Sequence, residues 1–325
     1  MSRLLVTGAA GFIGSHVCEA LLDAGHEVAG IDNFDPFYAR ATKERNLASL
    51  RQRRGFLFSE GDVARDPLPL QGVEAILHLA ARPGVQPSLE QPAAYMETNV
   101  TATARLLDAA RREGITRVVF GSSSSVYGES TPAPFSEDAR ADYPISPYAA
   151  SKRAGELVCR SFSHLYATRI ACLRFFTVYG PRQRPDLAIH RFTARIAAGQ
   201  SIQMRGDGSS ERDYTYVSDV VDGTLAALDW TARAGRGGDG AEPWRVFNLG
   251  GGERVRLDRL ITLIANAVGC EAAIERSPDS PGDVPLTAAD LTRSERELGY
   301  RPKVGIEEGI RRFVSWYREV HGRQP

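Results

Sequence analysis

Residues 4–14 read Leu-Leu-Val-Thr-Gly-Ala-Ala-Gly-Phe-Ile-Gly, and this stretch decides the fold. The apolar run at its start predicts a short buried β-strand, and a helical pattern follows to about Ala24. Gly8, Gly11 and Gly14 lie between the two elements. A glycine-rich turn between a strand and a helix is typical of dinucleotide-binding folds, because it lets a pyrophosphate approach the helix N-terminus.

The second predicted strand, residues 27–31, ends at Asp32. A carboxylate at this position can accept hydrogen bonds from the adenosine ribose and would repel a 2′-phosphate, which favours NAD over NADP. The segment from Phe34 to Arg54 contains a basic helix, whose Lys and Arg side chains we expect to form a solvated face. A long helix is predicted from about Pro92 to Glu113.

Three more strands are predicted at residues 56–58, 75–79 and 117–120, with helices between them. Alternating strands and helices predict an α/β fold with a doubly wound parallel sheet of Rossmann type. In such sheets, ligands bind beyond the carboxyl ends of the strands. The last of these strands runs into Gly-Ser-Ser-Ser-Ser, residues 121–125, so hydroxyl groups are expected at that edge.

Composition excludes several classes of function. The 325 residues include 40 Lys+Arg and 40 Asp+Glu, so the net charge is zero, and no global basic field points to nucleic acid or to an anionic membrane. The four cysteines lack metal-binding spacing, which predicts free thiols in a reducing compartment. The chain shows neither a signal-peptide pattern nor an apolar run of membrane-spanning length, so we expect a cytoplasmic protein.

A candidate acid–base pair begins the next helix. Ser146 is a good N-cap, and Pro147 suits the first helical position. Tyr148 and Lys152 are four residues apart, so they lie on one helix face. A free tyrosine has a pKa of about 10, and a nearby ammonium group lowers that value. The same spacing also fits a Tyr–Lys pair on a solvated face, so its meaning depends on the other motifs.

In chain order, these motifs resemble those of the extended short-chain dehydrogenase/reductase family, in particular its nucleotide-sugar epimerase branch. The resemblance implies NAD as the cofactor and assigns the chemistry to Ser123, Tyr148 and Lys152. In such enzymes the tyrosine is the acid–base, the lysine holds the nicotinamide ribose and lowers the tyrosine pKa, and the serine orients the substrate. The cofactor-binding residues that it implies are Gly8, Gly11, Phe12, Ile13, Gly14, Asp32, Asn33, Asp62, Val63, Leu79, Ala80, Ala81, Asn99, Tyr148 and Lys152.

The second half carries a signature that narrows the resemblance. Phe175 to Pro181, followed by Arg184-Pro185-Asp186, is similar to a segment of UDP-glucuronate 4-epimerases, whereas UDP-glucose 4-epimerases usually have Asn in place of Thr177. The implied substrate-binding residues are Ser124, Ser125, Thr177, Arg184, Arg212 and Asp283. The chain departs from the pattern at two positions. Gln86 stands where the glucuronate enzymes often have Arg, and Ser280 stands where relatives have Arg or Gln, so phosphate contacts are expected to be redistributed.

The serine run also discriminates between reactions. Related sugar 4,6-dehydratases carry Asp-Glu where this chain has Ser124 and Ser125, and related UDP-glucuronate decarboxylases carry a Glu at the second position. Because this chain has no carboxyl group at these positions to assist an elimination, the resemblance favours inversion at C4 of a UDP-hexuronic acid through a 4-keto intermediate. The alternatives are a UDP-glucose or UDP-N-acetylglucosamine 4-epimerase, a UDP-glucuronate decarboxylase, and an NAD-binding regulatory protein without catalysis.

The resemblance also predicts the domain organisation. Residues 1–175 are expected to form the NAD-binding domain, which includes the Tyr148 helix. Residues 176–325 are expected to form mainly a smaller α/β domain for the nucleotide sugar, with some chain crossing back. Within it, Arg233 to Glu242 is glycine-rich and is predicted to be a mobile loop. Members of this family commonly dimerise through the helices that begin near Pro92 and Pro147, so a homodimer is expected.

Overall fold

The structure is a computed structural model, which describes residues 1–234, 242–278 and 284–322. The element Ser280–Asp283, including the predicted substrate residue Asp283, lies outside the described residues. Most of the glycine-rich segment predicted as a loop between Arg233 and Glu242 also lies outside them.

Seven parallel strands form the larger sheet. They are β1 (Arg3–Thr7), β2 (Glu27–Asp32), β3 (Phe56–Glu60), β4 (Val73–His78), β5 (Arg117–Ser123), β6 (Arg169–Phe175) and β10 (Trp244–Leu249). Their order across the sheet is β10-β6-β5-β4-β1-β2-β3. The order reverses beside β1, so the carboxyl ends of β1 and β4 flank a crevice that can hold a ligand.

Two smaller sheets complete the strand inventory of the described residues. Their strands are β7 (Thr177–Tyr179), β8 (Ile202–Arg205), β9 (Glu211–Tyr216), β11 (Arg254–Arg256) and β12 (Ile274–Ser277). The first sheet has the order β11-β9-β7, and the second pairs β12 with β8.

The α-helices of the described residues cover both faces of the large sheet and the smaller sheets. They are α1 (Phe12–Asp23), α2 (Arg40–Ala48), α3 (Val85–Glu90), α4 (Pro92–Met96), α5 (Ala102–Arg112), α6 (Pro147–Tyr166), α7 (Ala188–Ala197), α8 (Val217–Arg233), α9 (Leu257–Val268), α10 (Thr292–Leu298) and α11 (Ile306–His321). No helix of the described residues combines the length and apolar character needed to cross a bilayer.

Strand periodicity divides the apolar residues between two cores. Leu4 and Val6 belong to the core that contains Val17 of α1, whereas Leu5 belongs to the core that contains Leu106 of α5. Successive side chains of a strand point to opposite faces, so a fully apolar strand feeds both layers. The predicted doubly wound α/β fold of Rossmann type is confirmed.

The helix predicted from Pro92 to Glu113 is interrupted. The α-helix α4 ends at Met96, residues Glu97–Thr101 form a π-helical turn, and α5 begins at Ala102. A single π turn inserts an extra residue into a helix and is frequent at functional sites. Asn99 lies within this turn, and its contacts are described in the next subsection.

The second half of the chain returns to the large sheet. β6 ends at Phe175, but β10 pairs in parallel with β6 at the sheet edge. The domain division at residues 175 and 176 remains a prediction.

Candidate active site

The glycine turn after β1 forms a tight cradle. Gly8 has a φ of 71°, and a Cβ atom added to it would lie 2.9 Å from the backbone nitrogen of Ala80. A Cβ added to Gly14 would lie 2.1 Å from the Gly8 carbonyl oxygen. Gly11 is the N-cap of α1 and has no side chain with which to cap it. The first-turn N–H groups of a helix have no acceptor within it, so this turn suits a phosphate.

A cleft of about 210 Å³ opens beside this turn at the carboxyl ends of the strands. It brings together all but one of the predicted cofactor residues: Gly8, Gly11, Phe12, Ile13, Gly14, Asp32, Asn33, Asp62, Val63, Leu79, Ala80, Ala81, Tyr148 and Lys152. Sequence patterns did not single out Phe37, Tyr38 and Arg82, which also line the cleft.

Asp32 is held at the cleft edge by groups that the sequence analysis did not foresee. Its Oδ2 accepts a hydrogen bond from the Ala10 amide at 3.2 Å, and its Oδ1 accepts one from the Phe34 amide at 2.8 Å. Lys43 Nζ lies 3.4 Å from the same Oδ1, and the lysine is only 6% exposed. The expectation of a solvated basic face is therefore wrong for Lys43, because α2 points it inward to neutralise Asp32.

Tyr148 and Lys152 both reach the cleft from the start of α6. Ser146 caps this helix by accepting a hydrogen bond from the Ala149 amide, and Pro147 is its first residue, as predicted. Lys152 Nζ donates to the Gly121 carbonyl oxygen at 2.7 Å, and burial lowers the pKa of Lys152 to about 8.

Burial and two neighbouring residues act on the pKa of Tyr148. Burial raises the pKa of Tyr148, while a hydrogen bond with Ser123 and the charge of Arg184 lower it. The expected lowering of this pKa by Lys152 stays a prediction, and Lys152 Nζ contacts the Gly121 carbonyl oxygen on the same side of the cleft.

The serine run forms a 3₁₀ turn, Ser124–Tyr127, at the end of β5. Ser123 is its N-cap: its hydroxyl oxygen accepts from the Ser125 amide at 3.2 Å and lies 3.1 Å from the Ser125 hydroxyl oxygen. Ser124 and Ser125 line a small cavity of about 110 Å³, together with Ser146, Thr177 and Arg212. No Asp or Glu among the described residues lines this cavity, which we call the sugar cavity.

A larger cavity of about 510 Å³ adjoins the sugar cavity, because Thr177, Arg212 and Val284 line both. We call it the arginine cavity. Four of the predicted substrate residues, Ser124, Ser125, Thr177 and Arg212, thus meet at the sugar cavity. Arg184 lies instead in the cofactor cleft, where its guanidinium sits 5.5 Å from the Phe37 ring centre.

Comparison with known proteins agrees with this geometry. The model of the NAD dependent epimerase/dehydratase family matches residues 4–250. The chain belongs to this family. The resemblance inferred from its motifs is confirmed, and so is the prediction of NAD as the cofactor.

Individual relatives cover almost the whole chain. The UDP-glucuronate 4-epimerase of Thermodesulfobacterium geofontis is 37% identical over 98% of this chain and 97% of that protein. The UDP-glucuronic acid 4-epimerase of Bacillus cereus, solved with UDP-glucuronic acid and NAD, is 35% identical, with a TM-score of 0.91 over 98% of this chain and 100% of that one. The UDP-glucose 4-epimerase of Thermotoga maritima, solved with UDP-glucose, is 32% identical, with a TM-score of 0.85 over 98% of this chain and 99% of that one.

In this NAD dependent epimerase/dehydratase, Asn99 lies behind the cofactor cleft and does not line it. The residue is 1% exposed, and its Oδ1 accepts from the Arg82 amide at 2.8 Å. Its Nδ2 donates to the Arg82 carbonyl at 3.0 Å and to the Ser151 hydroxyl at 2.9 Å. These contacts position the backbone of the cleft wall, and a direct contact between Asn99 and the cofactor stays a prediction.

A buried ion pair between β6 and α6 lies behind the candidate active site and holds its residues in place. Arg174 of β6 donates to Glu156 of α6 through two hydrogen bonds of 2.9 and 2.8 Å, and the Ser122 hydroxyl donates to Glu156 at 2.6 Å. Burial acts to raise the pKa of Glu156, but the hydrogen bonds from Arg174 and Ser122, together with the charges of Arg174 and Arg153, leave the pKa below its ordinary value. The sequence signal that could have found Glu156 is its place one turn after Lys152.

Proposed function

We propose that this protein is an NAD-dependent UDP-glucuronate 4-epimerase, which interconverts UDP-glucuronate and UDP-galacturonate through a transient 4-keto sugar. One observation carries the proposal. Tyr148 lines the cofactor cleft, and its hydrogen-bond partner Ser123 caps the serine turn that forms the wall of the sugar cavity. The acid–base residue Tyr148 is therefore linked through Ser123 to a cavity lined by neutral hydroxyl groups.

The residues of the cleft fit NAD. The glycine cradle leaves no room for a side chain at Gly8 or Gly14, which is what close approach of a pyrophosphate requires. Asp32 would accept hydrogen bonds from the adenosine ribose, and Lys152 would hold the nicotinamide ribose. When bound, NAD supplies a site that accepts a hydride from the sugar and returns it.

Tyr148 is the group that moves the proton. Its phenolate oxygen accepts the proton of the C4 hydroxyl as C4 is oxidised, and returns that proton when C4 is reduced on the other face. Ser123 keeps the phenol oriented by the hydrogen bond, and the positive charge of Arg184 favours the phenolate. The reaction has no net redox change, so the cofactor is expected to remain bound.

The sugar cavity matches a uronate that must keep its carboxylate. A 4-keto uronic acid is a β-keto acid, and it loses CO₂ when the breaking C–C bond aligns with the carbonyl. Hydroxyl groups of Ser124, Ser125 and Thr177 would hold the carboxylate by charge-assisted hydrogen bonds, away from that alignment. The cavity offers no described carboxyl group that could take part in an elimination.

Turnover of purified protein tests the choice of substrate. We expect faster conversion of UDP-glucuronate than of UDP-glucose or UDP-N-acetylglucosamine, with UDP-galacturonate as the main product. A neutral UDP-hexose is the second candidate, because its hydroxyl groups could also bond to these neutral side chains and a UDP-glucose 4-epimerase has a similar structure. Faster turnover of UDP-glucose would favour that candidate.

We also propose that the protein is a cytoplasmic homodimer. Large apolar side chains are exposed on three neighbouring helices: Leu89 of α3, Met96 of α4, and Leu157 and Leu165 of α6. An exposed apolar surface of this kind is typical of an interface between subunits. Sedimentation at micromolar concentration should show twice the mass of one chain.

The proposed cytoplasmic location is supported by the free thiols of Cys18, Cys159, Cys172 and Cys270, which are typical of a reducing compartment.

A further inference from the structure

Asn248 of β10 is fully buried, and its side chain bonds to three separate segments of the chain. Its Oδ1 accepts a hydrogen bond from the Tyr127 hydroxyl at 2.6 Å. Its Nδ2 donates to the carbonyl oxygens of Phe135 at 2.7 Å and Asp290 at 3.1 Å. One side chain therefore joins these three segments to the large sheet.

Side chains from two of the surrounding segments also hold the backbone of Asn248. β10 is an edge strand of the large sheet, and an edge strand presents N–H and C=O groups without a strand partner on its outer side. The Asn248 amide donates to Glu137 Oε1 at 2.9 Å, and its carbonyl oxygen accepts from the Ser294 hydroxyl at 2.6 Å. Glu137 follows Phe135 by two residues, so this segment contacts Asn248 through both a carboxylate and a backbone carbonyl.

The segments that Asn248 joins carry residues of the sugar cavity. Tyr127 ends the 3₁₀ turn whose first two residues line that cavity. Phe135 lines the cavity itself, and Asp290 follows the lining residue Thr287 by three positions. Asn248 does not line the cavity, so its effect on a bound sugar is indirect.

Tyr127 is the link between Asn248 and the serine turn, Ser124–Tyr127. Its ring centre lies 4.8 Å from that of Phe135 and 4.6 Å from the Arg174 guanidinium. This packing restrains the ring plane, and the bond to Asn248 fixes how far the hydroxyl extends toward β10. The turn has only four residues, so a shift of Tyr127 is transmitted to the serines at its start.

We propose that Asn248 is a positioning residue which, through Tyr127, holds the serine turn where it retains the carboxylate of the sugar. This proposal rests on the proposed function and deepens it, because it assigns retention of the carboxylate to a residue outside the sugar cavity. When the turn is displaced, the hydroxyl groups of Ser124 and Ser125 hold the carboxylate less firmly. The C5–C6 bond of the 4-keto sugar then aligns more often with the C4 carbonyl.

The side reaction that this alignment permits is decarboxylation. The C5–C6 bond breaks, CO₂ leaves, and the bonding electron pair forms an enolate between C5 and the C4 carbonyl. C5 then takes a proton from water, and C4 takes back the hydride and a proton, which gives a UDP-pentose. The sum converts UDP-glucuronate and one proton into UDP-pentose and CO₂, so no external oxidant or reductant is needed.

Tyr127→Phe tests the proposal, because it removes the hydroxyl that bonds to Asn248 and keeps the ring. The NAD-loaded full chain is given UDP-glucuronate labelled at C6, and the ratio of CO₂ released to UDP-galacturonate formed is measured. This ratio should rise by about two- to tenfold, the change that corresponds to one hydrogen bond. A loss of stability alone reduces the amount of active enzyme and leaves the ratio unchanged.

Tyr300→Phe is the matched control. Tyr300 is also buried and its hydroxyl donates to the Gly250 carbonyl at 2.8 Å, but neither residue lines the sugar cavity. The control should keep the wild-type ratio. Asn248→Ser should raise the ratio at least as much as Tyr127→Phe, and Tyr127→Phe decides alone if Asn248→Ser does not fold. A wild-type ratio in Tyr127→Phe would overturn the proposal.

A binding measurement separates failure of this proposal from failure of the proposed function. Calorimetric titration in a Tyr148→Phe background, where proton transfer is blocked, compares UDP-glucuronate with UDP. Adding Tyr127→Phe should weaken UDP-glucuronate binding by about two- to tenfold and leave UDP binding unchanged.

The outcomes differ for the two claims. If the wild type converts UDP-glucuronate but Tyr127→Phe changes neither the product ratio nor this affinity, only the positioning role is wrong. If the wild type does not convert UDP-glucuronate but Tyr127→Phe weakens its binding and not that of UDP, the positioning role stands and the reaction must be reassigned. Equal weakening of UDP and UDP-glucuronate binding would contradict a role at the sugar.

Discussion

Tyr148 is surrounded by groups with opposing effects on its proton. Burial favours the neutral phenol, whereas the Ser123 hydrogen bond and the charge of Arg184 favour the phenolate. A general base works best when its pKa approaches the working pH. We therefore expect Arg184 to favour the Tyr148 phenolate, in addition to the substrate contact that the sequence resemblance implied.

Replacing Tyr148 tests its role directly. Tyr148→Phe should lower kcat by about 10²–10⁴-fold, the usual contribution of acid–base catalysis, while NAD stays bound. Steady-state turnover and the NAD content of the purified variant provide the measurements. Tyr143→Phe is a suitable control, because Tyr143 is 73% exposed. Near-normal activity of Tyr148→Phe would refute the assignment.

Two buried histidines predict how stability depends on pH. Burial lowers the pKa of His16 to about 4 and that of His78 to about 3. The ordinary value is about 6.5, so below that pH the unfolded chain binds more protons than the folded chain, and stability falls as pH decreases. Each histidine should contribute a slope that reaches at most about 1.4 kcal/mol per pH unit near pH 5 and is smaller at pH 6 and at pH 4.

Urea unfolding of the wild type and His16→Gln at pH 6, 5 and 4 measures that slope. In His16→Gln, the part of this slope that the two histidines contribute together should fall to about half. An identical slope in both proteins would contradict the low pKa of His16. His78 is a core residue whose ring nitrogens form hydrogen bonds with the hydroxyl groups of Thr7 and Thr103 at 2.7 and 3.0 Å.

At the scale of elements, helices with strong periodicity and clear caps were predictable. The start of α6 was predicted correctly, because Ser146 favours an N-cap position and Pro147 favours the first helical position. The π turn at Glu97–Thr101 was not predictable, since one extra residue in a helix leaves almost no mark on side-chain periodicity. Asn99 was therefore predicted as a site residue, but its hydrogen bonds with Arg82 and Ser151 were not predicted.

The pairing of α6 with β6 gives a prediction about stability. Arg174→Met removes two hydrogen bonds from the fully buried Glu156 and leaves it Arg153 and Ser122 as partners, and it should destabilise the protein by about 3–5 kcal/mol. Adding Glu156→Leu should recover part of that loss, because the incompletely compensated charge is removed. Denaturant unfolding of both single variants and the double variant gives the coupling. Strictly additive losses would show that the pair does not act as a unit.

At the scale of the whole molecule, the site joins side chains from both halves of the chain. Motif order predicted that Ser123, Tyr148, Thr177 and Arg212 would meet, but it did not predict that Arg184 enters the cofactor cleft. That placement depends on the path of the loop after β7. Arg182 anchors this loop to α1 through Glu19 at 2.6 Å and Ser15 at 3.3 Å, a long-range contact without a sequence signature.

The central claim is that C4 is oxidised and reduced within one site while the carboxylate is retained. Nuclear magnetic resonance of the product formed from UDP-glucuronate labelled with deuterium at C4 tests both parts at once. The account predicts UDP-galacturonate that carries deuterium at C4 and an intact carboxylate. Loss of the deuterium to solvent, or a UDP-pentose as the main product, would contradict it.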